Sequence, residues 1–327
     1  MTPLRFEETY QAEWTELEAL LAHVLGRVRR DAPPPPSDPG ARLPALYRRA
    51  CEHLALARAR VYPAPLIDRL ERLTADAHQV IYQRRELSLG RLLDLARDEF
   101  PAAVRQQWKF VAVSAIVFLL PTIVLGFLVH ARPDLILSVV DTQTAASFEE
   151  MYSTHATSIG RLRTASTDWV MFGFYIRNNI SVAFQCFAGG VFAGLGTLFF
   201  LAYNGAFSGA IAGFLVSRGL SSTFFSFVAT HSAFELTAIV LSGAAGLRIG
   251  HAVVAPGRLT RRESLVGATR ESAVVLYGVT ALLVIAAAVE AFWSSASWLP
   301  PAVKYGAAAI CWTAVLAYLT LQGRRAH

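Results

Sequence analysis

Charge is scarce in this sequence. Only 17% of its 327 residues are Asp, Glu, Lys or Arg, against about a quarter in an ordinary soluble domain, so a chain that is wholly a water-soluble globule is excluded. Cysteine is scarcer still. Cys51, Cys186 and Cys311 are scattered, and two of them sit in apolar runs; a disulfide framework and a thiolate metal site are both excluded, leaving buried thiols. The opening "MTPLRFEETYQAEW" lacks an apolar h-region, so no cleaved signal peptide is expected and an internal span must drive insertion. Catalytic signatures are missing as well: there is no H-E-x-x-H, no Ser–His–Asp order and no Cys–His pair. The net charge of +6 comes mostly from arginine, with no nucleic-acid motif beside it, and it bears on membrane topology instead.

What the sequence does have is apolar length. It is 54% hydrophobic, with a mean hydropathy of +0.40, which predicts an all-α integral membrane protein preceded by a soluble helical domain. Residues 1–107 read as that domain, cytoplasmic and four-helical, with a proline-rich connector at 31–40. His53, His78 and the Arg–Glu neighbours read there as exposed groups whose ion pairs contribute under about 1 kcal/mol each. Residues 108–327 read as the membrane domain. About six spans are predicted, near 108–130, 180–203, 205–220, 231–254, 274–293 and 303–321, with a re-entrant or bent piece at 221–230.

Arginines set the expected orientation. "PGRLTRRESLVGATR" and the terminal "GRRAH" fall on the side of the arginine-rich N-domain when six spans are counted, so both termini are expected in the cytoplasm of a bacterial inner-membrane protein. The loop 131–177 then faces outward. Its end, "STDWVMFGFYIRNN", predicts an interfacial helix at 168–179, and the stretch before it is expected to be polar and to carry a partner contact.

Small residues recur four apart in Gly190 and Gly194, in Gly205, Gly209 and Gly213, and in Gly246 and Gly250. That spacing predicts close helix packing within the chain, or a homodimer face. Asn204–Gly205 predicts a tight turn joining the second and third spans. The stretch "THSAFEL" puts His231 and Glu235 on one helical face of an apolar segment, and topology brings Asn178, Asn179 and Glu290 to the same outer level. Ionisable groups in a membrane are costly and are functional candidates by default. Three uses of the cluster stay open: hydrogen bonds that fix the bundle, a proton or cation path, and a zinc-like site ligated by His231, Glu235 and Glu290.

Three stretches, "NNISVAFQCFAGGVFAGLGTLFFLAYNGAFSG", "THSAFELTAIVLSGAAGLRIG" and "AAAVEAF", together resemble the stage II sporulation protein M family. The N-terminal "LYRRACEHLALARAR" and "LTADAHQVIYQ" are similar to the helical extension of members from non-sporulating bacteria. Ser232 stands where the family motif has glycine. The resemblance implies a non-enzymatic component of a cell-envelope assembly, with motif residues Asn178, Asn179, Asn204, His231, Glu235 and Glu290. It implies no cofactor. A MoxR-type ATPase or another membrane protein is implied as partner, beside the lipid bilayer that hydropathy predicts and the homodimer that the glycine spacing allows. A transporter with an outer-leaflet polar cavity and a metal-dependent membrane hydrolase are the alternatives.

Overall fold

Apolar residues at three- and four-residue spacing make the first helices. Phe6, Trp14, Leu17, Leu20 and Leu21 form the buried stripe of α1 (Pro3–Val24). It packs on α2 (Pro39–Ala59), through Leu43, Leu46 and Ala50, and on α3 (Ala64–Tyr82), through Leu66, Leu70 and Leu73. The computed structural model describes residues 1–24, 39–82, 89–153, 165–296 and 298–323; most of the proline-rich connector expected at 31–40 lies outside them. Interhelical pairs such as Arg42–Glu16, bidentate at 2.8 and 3.0 Å, and Arg69–Glu18 at 3.0 Å rim this core. Being exposed, they contribute under about 1 kcal/mol each and serve register more than stability.

His53 departs from its expected place on a solvated face. It is only 6% exposed and is ringed by Phe6, Tyr10 and Trp14, with Tyr10 at 3.9 Å between ring centroids. The Trp14 indole N–H donates to its Nδ1 at 3.1 Å, because a buried indole needs an acceptor. Its partner in the sequence reading, His78, meets the Tyr47 hydroxyl at 2.9 Å.

The chain divides into two compact units, Met1–Ser88 and Leu89–His327, so the N-terminal domain ends well before residue 107. The segment expected as its fourth helix becomes α4 (Leu89–Asp94), a π-helical turn (Leu95–Glu99) and α5 (Phe100–Gln106), all in the second unit. Amphipathic spacing shows that a helix has an apolar face; it does not say which surface covers it. Here Phe100 and Val104 enter a core with Val275, Leu282 and Val315. Arg105 meanwhile donates to the carbonyls of Leu319 and Gln322 at 3.0 and 2.6 Å, satisfying the end of the last helix.

Every regular element among the described residues of the second unit is helical. After α6 (Trp108–Ala131) come a 3-10 turn (Pro133–Ser138) and α7 (Thr142–Tyr152), then α8 (Ala165–Ala188). Next are a 3-10 turn (Gly189–Val191), α9 (Leu195–Ser217), α10 (Ser221–Val254) and α11 (Arg261–Ala288). A π-helical turn (Val289–Ser294) and α12 (Pro301–Leu321) complete it. Five of these are long and apolar enough to cross a membrane: α6, α9, α10, α11 with its π turn, and α12. This is an all-α membrane protein. α8 matches α6 in length at 24 residues, but Arg177, Asn178, Asn179 and Gln185 interrupt its apolar sequence.

Four boundaries differ from the sequence reading. Asn204 and Gly205 lie inside α9, where the Asn204 amide donates to the Phe200 carbonyl at 2.8 Å. The chain turns earlier, at Ala193 and Gly194, both with positive φ. An unbroken helix satisfies its own backbone inside an apolar layer, so a local Asn-Gly turn preference loses to it. The expected interfacial helix at 168–179 and the first half of the expected second span are one helix, α8. Residues 221–230 are neither re-entrant nor bent away but form the first turns of the 34-residue α10. Arg261, Arg262 and Arg270, expected in a loop, belong to α11, which starts at a Thr260–Glu263 capping box.

Contacts order the helices. A Cβ on Gly205, Gly209 or Gly213 would fall 2.2, 2.1 and 2.2 Å from the carbonyl oxygens of Phe118, Thr122 and Gly126. The partner numbers rise together, so α6 and α9 run parallel in close contact. Ser242 meets the Ala183 carbonyl, and a Cβ on Gly246 would fall 2.6 and 2.8 Å from the carbonyl oxygens of Cys186 and Phe187, so the numbers rise together and α8 runs parallel to α10. α10 is central: Ser114 Oγ of α6 donates to the Val240 carbonyl at 2.7 Å, and Ser242 Oγ donates to the Ala183 carbonyl of α8.

Two outcomes follow. Gly209→Leu overpacks the α6–α9 contact and lowers stability by about 1–3 kcal/mol, measured as an earlier thermal transition of the detergent-solubilised protein. Burial also holds the His53 imidazole below its ordinary value of 6.5. The unfolded chain then binds the extra proton, so the stability of the first unit is complete above about pH 6.5 and declines as pH falls below it. Amide exchange around Leu17 and Leu70 in the full chain accelerates from pH 7.5 to 5.5 after correction for intrinsic rates, and His53→Phe removes that excess.

Candidate functional site

His231, Glu235, Glu290 and Ser294 of the membrane unit gather at one place, where α10 meets the π turn after α11. His231 is buried on the second full stretch of α10, and Glu235, one turn further along the same face, keeps 22% of its side chain exposed. From the neighbouring helix, the π turn Val289–Ser294 brings Glu290 and Ser294 to the same place. A π turn inserts an extra residue and re-aims the side chains that follow, and such turns are frequent at functional sites. The result is that one ligand atom each from His231, Glu235 and Glu290 lies within 4.8 Å of the others.

The imidazole is held on its far side. Nδ1 of His231 meets Ser294 Oγ at 3.0 Å, and the ring packs edge-on to Phe227 at 5.5 Å. Nε2 is therefore the nitrogen turned toward Glu235, whose Oε2 is 3.8 Å away. That separation is too long for a hydrogen bond. Lys304 of α12, buried at 7% exposure, donates from Nζ to the Ser294 carbonyl at 2.7 Å, and its own carbonyl accepts from Thr230 Oγ1 at 3.2 Å. α10, the π turn and α12 are thereby tied together around the histidine.

Two tyrosines that sequence reasoning missed complete the surroundings. Tyr152 ends α7, with its ring against Phe224 at 5.2 Å and Phe227 at 6.0 Å, and its carbonyl accepts from Thr223 Oγ1 at 2.8 Å. Burial first, and then the acidic neighbours Glu290, Tyr175 and Glu235, whose ionised forms oppose a phenolate, push its phenol above the ordinary value. α7 is anchored for this task by Asp141, whose carboxylate accepts from the Thr144 N–H at 2.8 Å and is held below the usual range by that bond. Tyr175 of α8 packs on Ala287 and Ala291, beside Glu290. Neither tyrosine nor Lys304 sits in a motif; only the approach of α7, α8 and α12 reveals them. The stretch preceding α8, expected as polar and partner-facing, is helical up to Tyr152 and lies outside the described residues from 154 to 164.

The two asparagines lie on α8, one turn beyond Tyr175. Asn178 donates to Asn179 Oδ1 at 3.1 Å, and the Asn179 amide nitrogen, although buried, has no partner among the described residues. Ser232, in place of the motif glycine, turns its hydroxyl to the Ala229 carbonyl at 2.9 Å and is accommodated without a close helix contact.

Comparison with known families agrees with this architecture. Residues 114–295 match the family described as Stage II sporulation protein M, more than half of the chain, and the protein belongs to that family. Residues 4–83 match a second family, described as a domain of unknown function (DUF8413), which coincides with α1 to α3. No curated protein and no solved structure matches the chain.

The bond from Thr223 to Tyr152 generates a test. Thr223→Val removes about 1 kcal/mol of hydrogen bonding from the α7 contact. Hydrogen exchange over residues 145–152 rises roughly fivefold, while exchange in α9 and α11 is unchanged.

Proposed function

We propose that this member of the Stage II sporulation protein M family is an inner-membrane component of a bacterial cell-envelope assembly. It acts by association and not by catalysis, with both termini in the cytoplasm. The observation that carries the reading is the outward face of α8. Phe174, Arg177, Asn178, Ser181, Phe184 and Gln185 are all exposed and recur along one side of the helix. Ala183 is level with Ser242 through their hydrogen bond, and Arg177 lies about 9 Å further along at 1.5 Å per residue. That position is still between the levels of Ser242 and His231, which in this reading lies within the apolar layer.

Facing lipid, an arginine at such a depth costs roughly 2.5–3.5 kcal/mol on insertion scales. A second copy of the chain relieves that cost. Arg177 and Asn178 supply donors, while Asn178, Ser181 and Gln185 supply acceptors, so the stripe is complementary to itself across a two-fold axis. The glycine stripes of α9 and α10 are used inside the chain, which leaves α8 as the polar face open to a neighbour. The first unit, with its own core, suits a separate soluble partner such as a MoxR-type ATPase.

Ser181→Cys in native membranes gives a species of twice the chain mass on treatment with a short bismaleimide, and Arg177→Leu reduces its yield at least tenfold. A cross-linker that finds only lipid or monomer overturns the reading. A transporter is the second reading, favoured by the exposed edge of Glu235 beside His231. It predicts ion flux into proteoliposomes that Glu235→Gln abolishes.

A further inference from the structure

The geometry points to a divalent-cation site formed by His231 Nε2 and the carboxylates of Glu235 and Glu290, taking a first-row ion of the Zn²⁺ or Mn²⁺ type. This goes beyond the assembly role, which stands on α8 and is independent of it.

Three observations carry the assignment. First, the three ligand atoms lie within 4.8 Å of one another, and His231 Nε2 to Glu235 Oε2 is 3.8 Å. Two ligands about 2.0–2.2 Å from one ion stand roughly 3.3–3.6 Å apart. The His231–Glu235 gap is thus longer than a hydrogen bond and a few tenths of an ångström wider than in an occupied site, while the 4.8 Å bound on the set asks the glutamate side chains to close in by up to about 1.2–1.5 Å by rotation.

Second, the histidine carries the outer support that metal ligands have. A ligating imidazole is oriented by a hydrogen bond at its other nitrogen, and Ser294 Oγ at 3.0 Å from Nδ1 provides it. Ser294 is itself placed by the π turn and by Lys304 on its carbonyl. The same π turn delivers Glu290, so one local distortion of α11 sets both a ligand and the support of another.

Third, the charges balance. Two carboxylates and a neutral imidazole bind a dication with no net charge, which suits a site inside a helical bundle where uncompensated charge is costly. The Lys304 ammonium donates to the Ser294 carbonyl, which orients it without cancelling its charge, so the balance holds for the three ligands and the ion alone. One imidazole with two carboxylates mixes a ligand favoured by zinc with ligands favoured by manganese, and it falls short of the six to eight oxygens that calcium prefers. Three protein ligands leave a further position open to water or to a group on another molecule. Glu235, part-exposed, is on the accessible edge.

The test uses the full-length protein in detergent, stripped with a chelator and dialysed against Zn²⁺, Mn²⁺ or Co²⁺. Wild type retains close to one ion per chain by elemental analysis. Its Co²⁺ form shows visible absorption bands from nitrogen and oxygen ligation. Glu235→Gln, Glu290→Gln and His231→Gln each weaken binding by about 100-fold or more, and Ser294→Ala by about tenfold. All four variants are checked for wild-type elution and helicity, and Glu235→Asp, which keeps the carboxylate, retains the ion if a ligand change rather than misfolding causes the loss. Binding that is absent from folded wild type overturns the assignment. So does binding unchanged in folded Glu235→Gln and Glu290→Gln, which would place the ion elsewhere, or a wild type that only takes up a proton as pH falls. Dimer formation through α8 persists in all these variants, so the two readings fail separately.

Discussion

The membrane unit depends on how closely its helices can approach α10. Inside an apolar layer there is no gain from hiding apolar surface, so packing and interhelical hydrogen bonds must hold the helices. α10 meets this with a run of small buried residues, Ser242, Gly243, Ala244, Ala245 and Gly246. Their size lets neighbouring side chains and backbones come within hydrogen-bonding reach: Ser114 at the Val240 carbonyl and Ser242 at that of Ala183. Thr197 reaches the Cys186 carbonyl at 2.7 Å in the adjoining α8–α9 hairpin. Larger residues along this stretch would separate the helices and break these bonds together.

Closeness at one end of α10 permits polarity at the other. Because α11 is held against α10 along its length, the π turn at Val289–Ser294 has a defined place to aim Glu290 and Ser294. Its distortion brings a carboxylate and a hydroxyl to His231. α12 supports the same point through Lys304 and Thr230. α7 covers it with Tyr152, anchored by Thr223 and the aromatic rings of Phe224 and Phe227. The cluster therefore combines support from α10, α11 and α12 with a covering helix, α7, an arrangement suited to holding a ligand in a fixed geometry. Family membership over residues 114–295 includes all of α10 and the π turn.

Much of this was legible beforehand. The all-helical membrane class, the family, and the pairing of His231 with Glu235 all follow from local pattern. Hydropathy reports length, and i, i+4 spacing reports a shared face. Glu290 was also placed with them, since topology alone puts the end of an outward-running helix at that level. What failed was local as well. Asn204–Gly205 looks like a turn by dipeptide preference, yet an apolar surround favours uninterrupted helix there, and the turn moved to Gly194. His53 looked exposed by its charged neighbours, and is buried because an indole needed an acceptor.

By itself the sequence determined the helical class, which segments are apolar, and which residues share a helical face, because those properties depend on neighbours within a few residues along the chain. Only the tertiary structure decided what each face meets. It drew Phe100 into the membrane unit's core, paired Asn178 with Asn179, and joined Tyr152, Tyr175, Ser294 and Lys304 to the surroundings of the histidine. The physical reason is that these contacts join residues far apart in sequence. Their partners are set by the depth and direction of whole helices, and no local spacing encodes either.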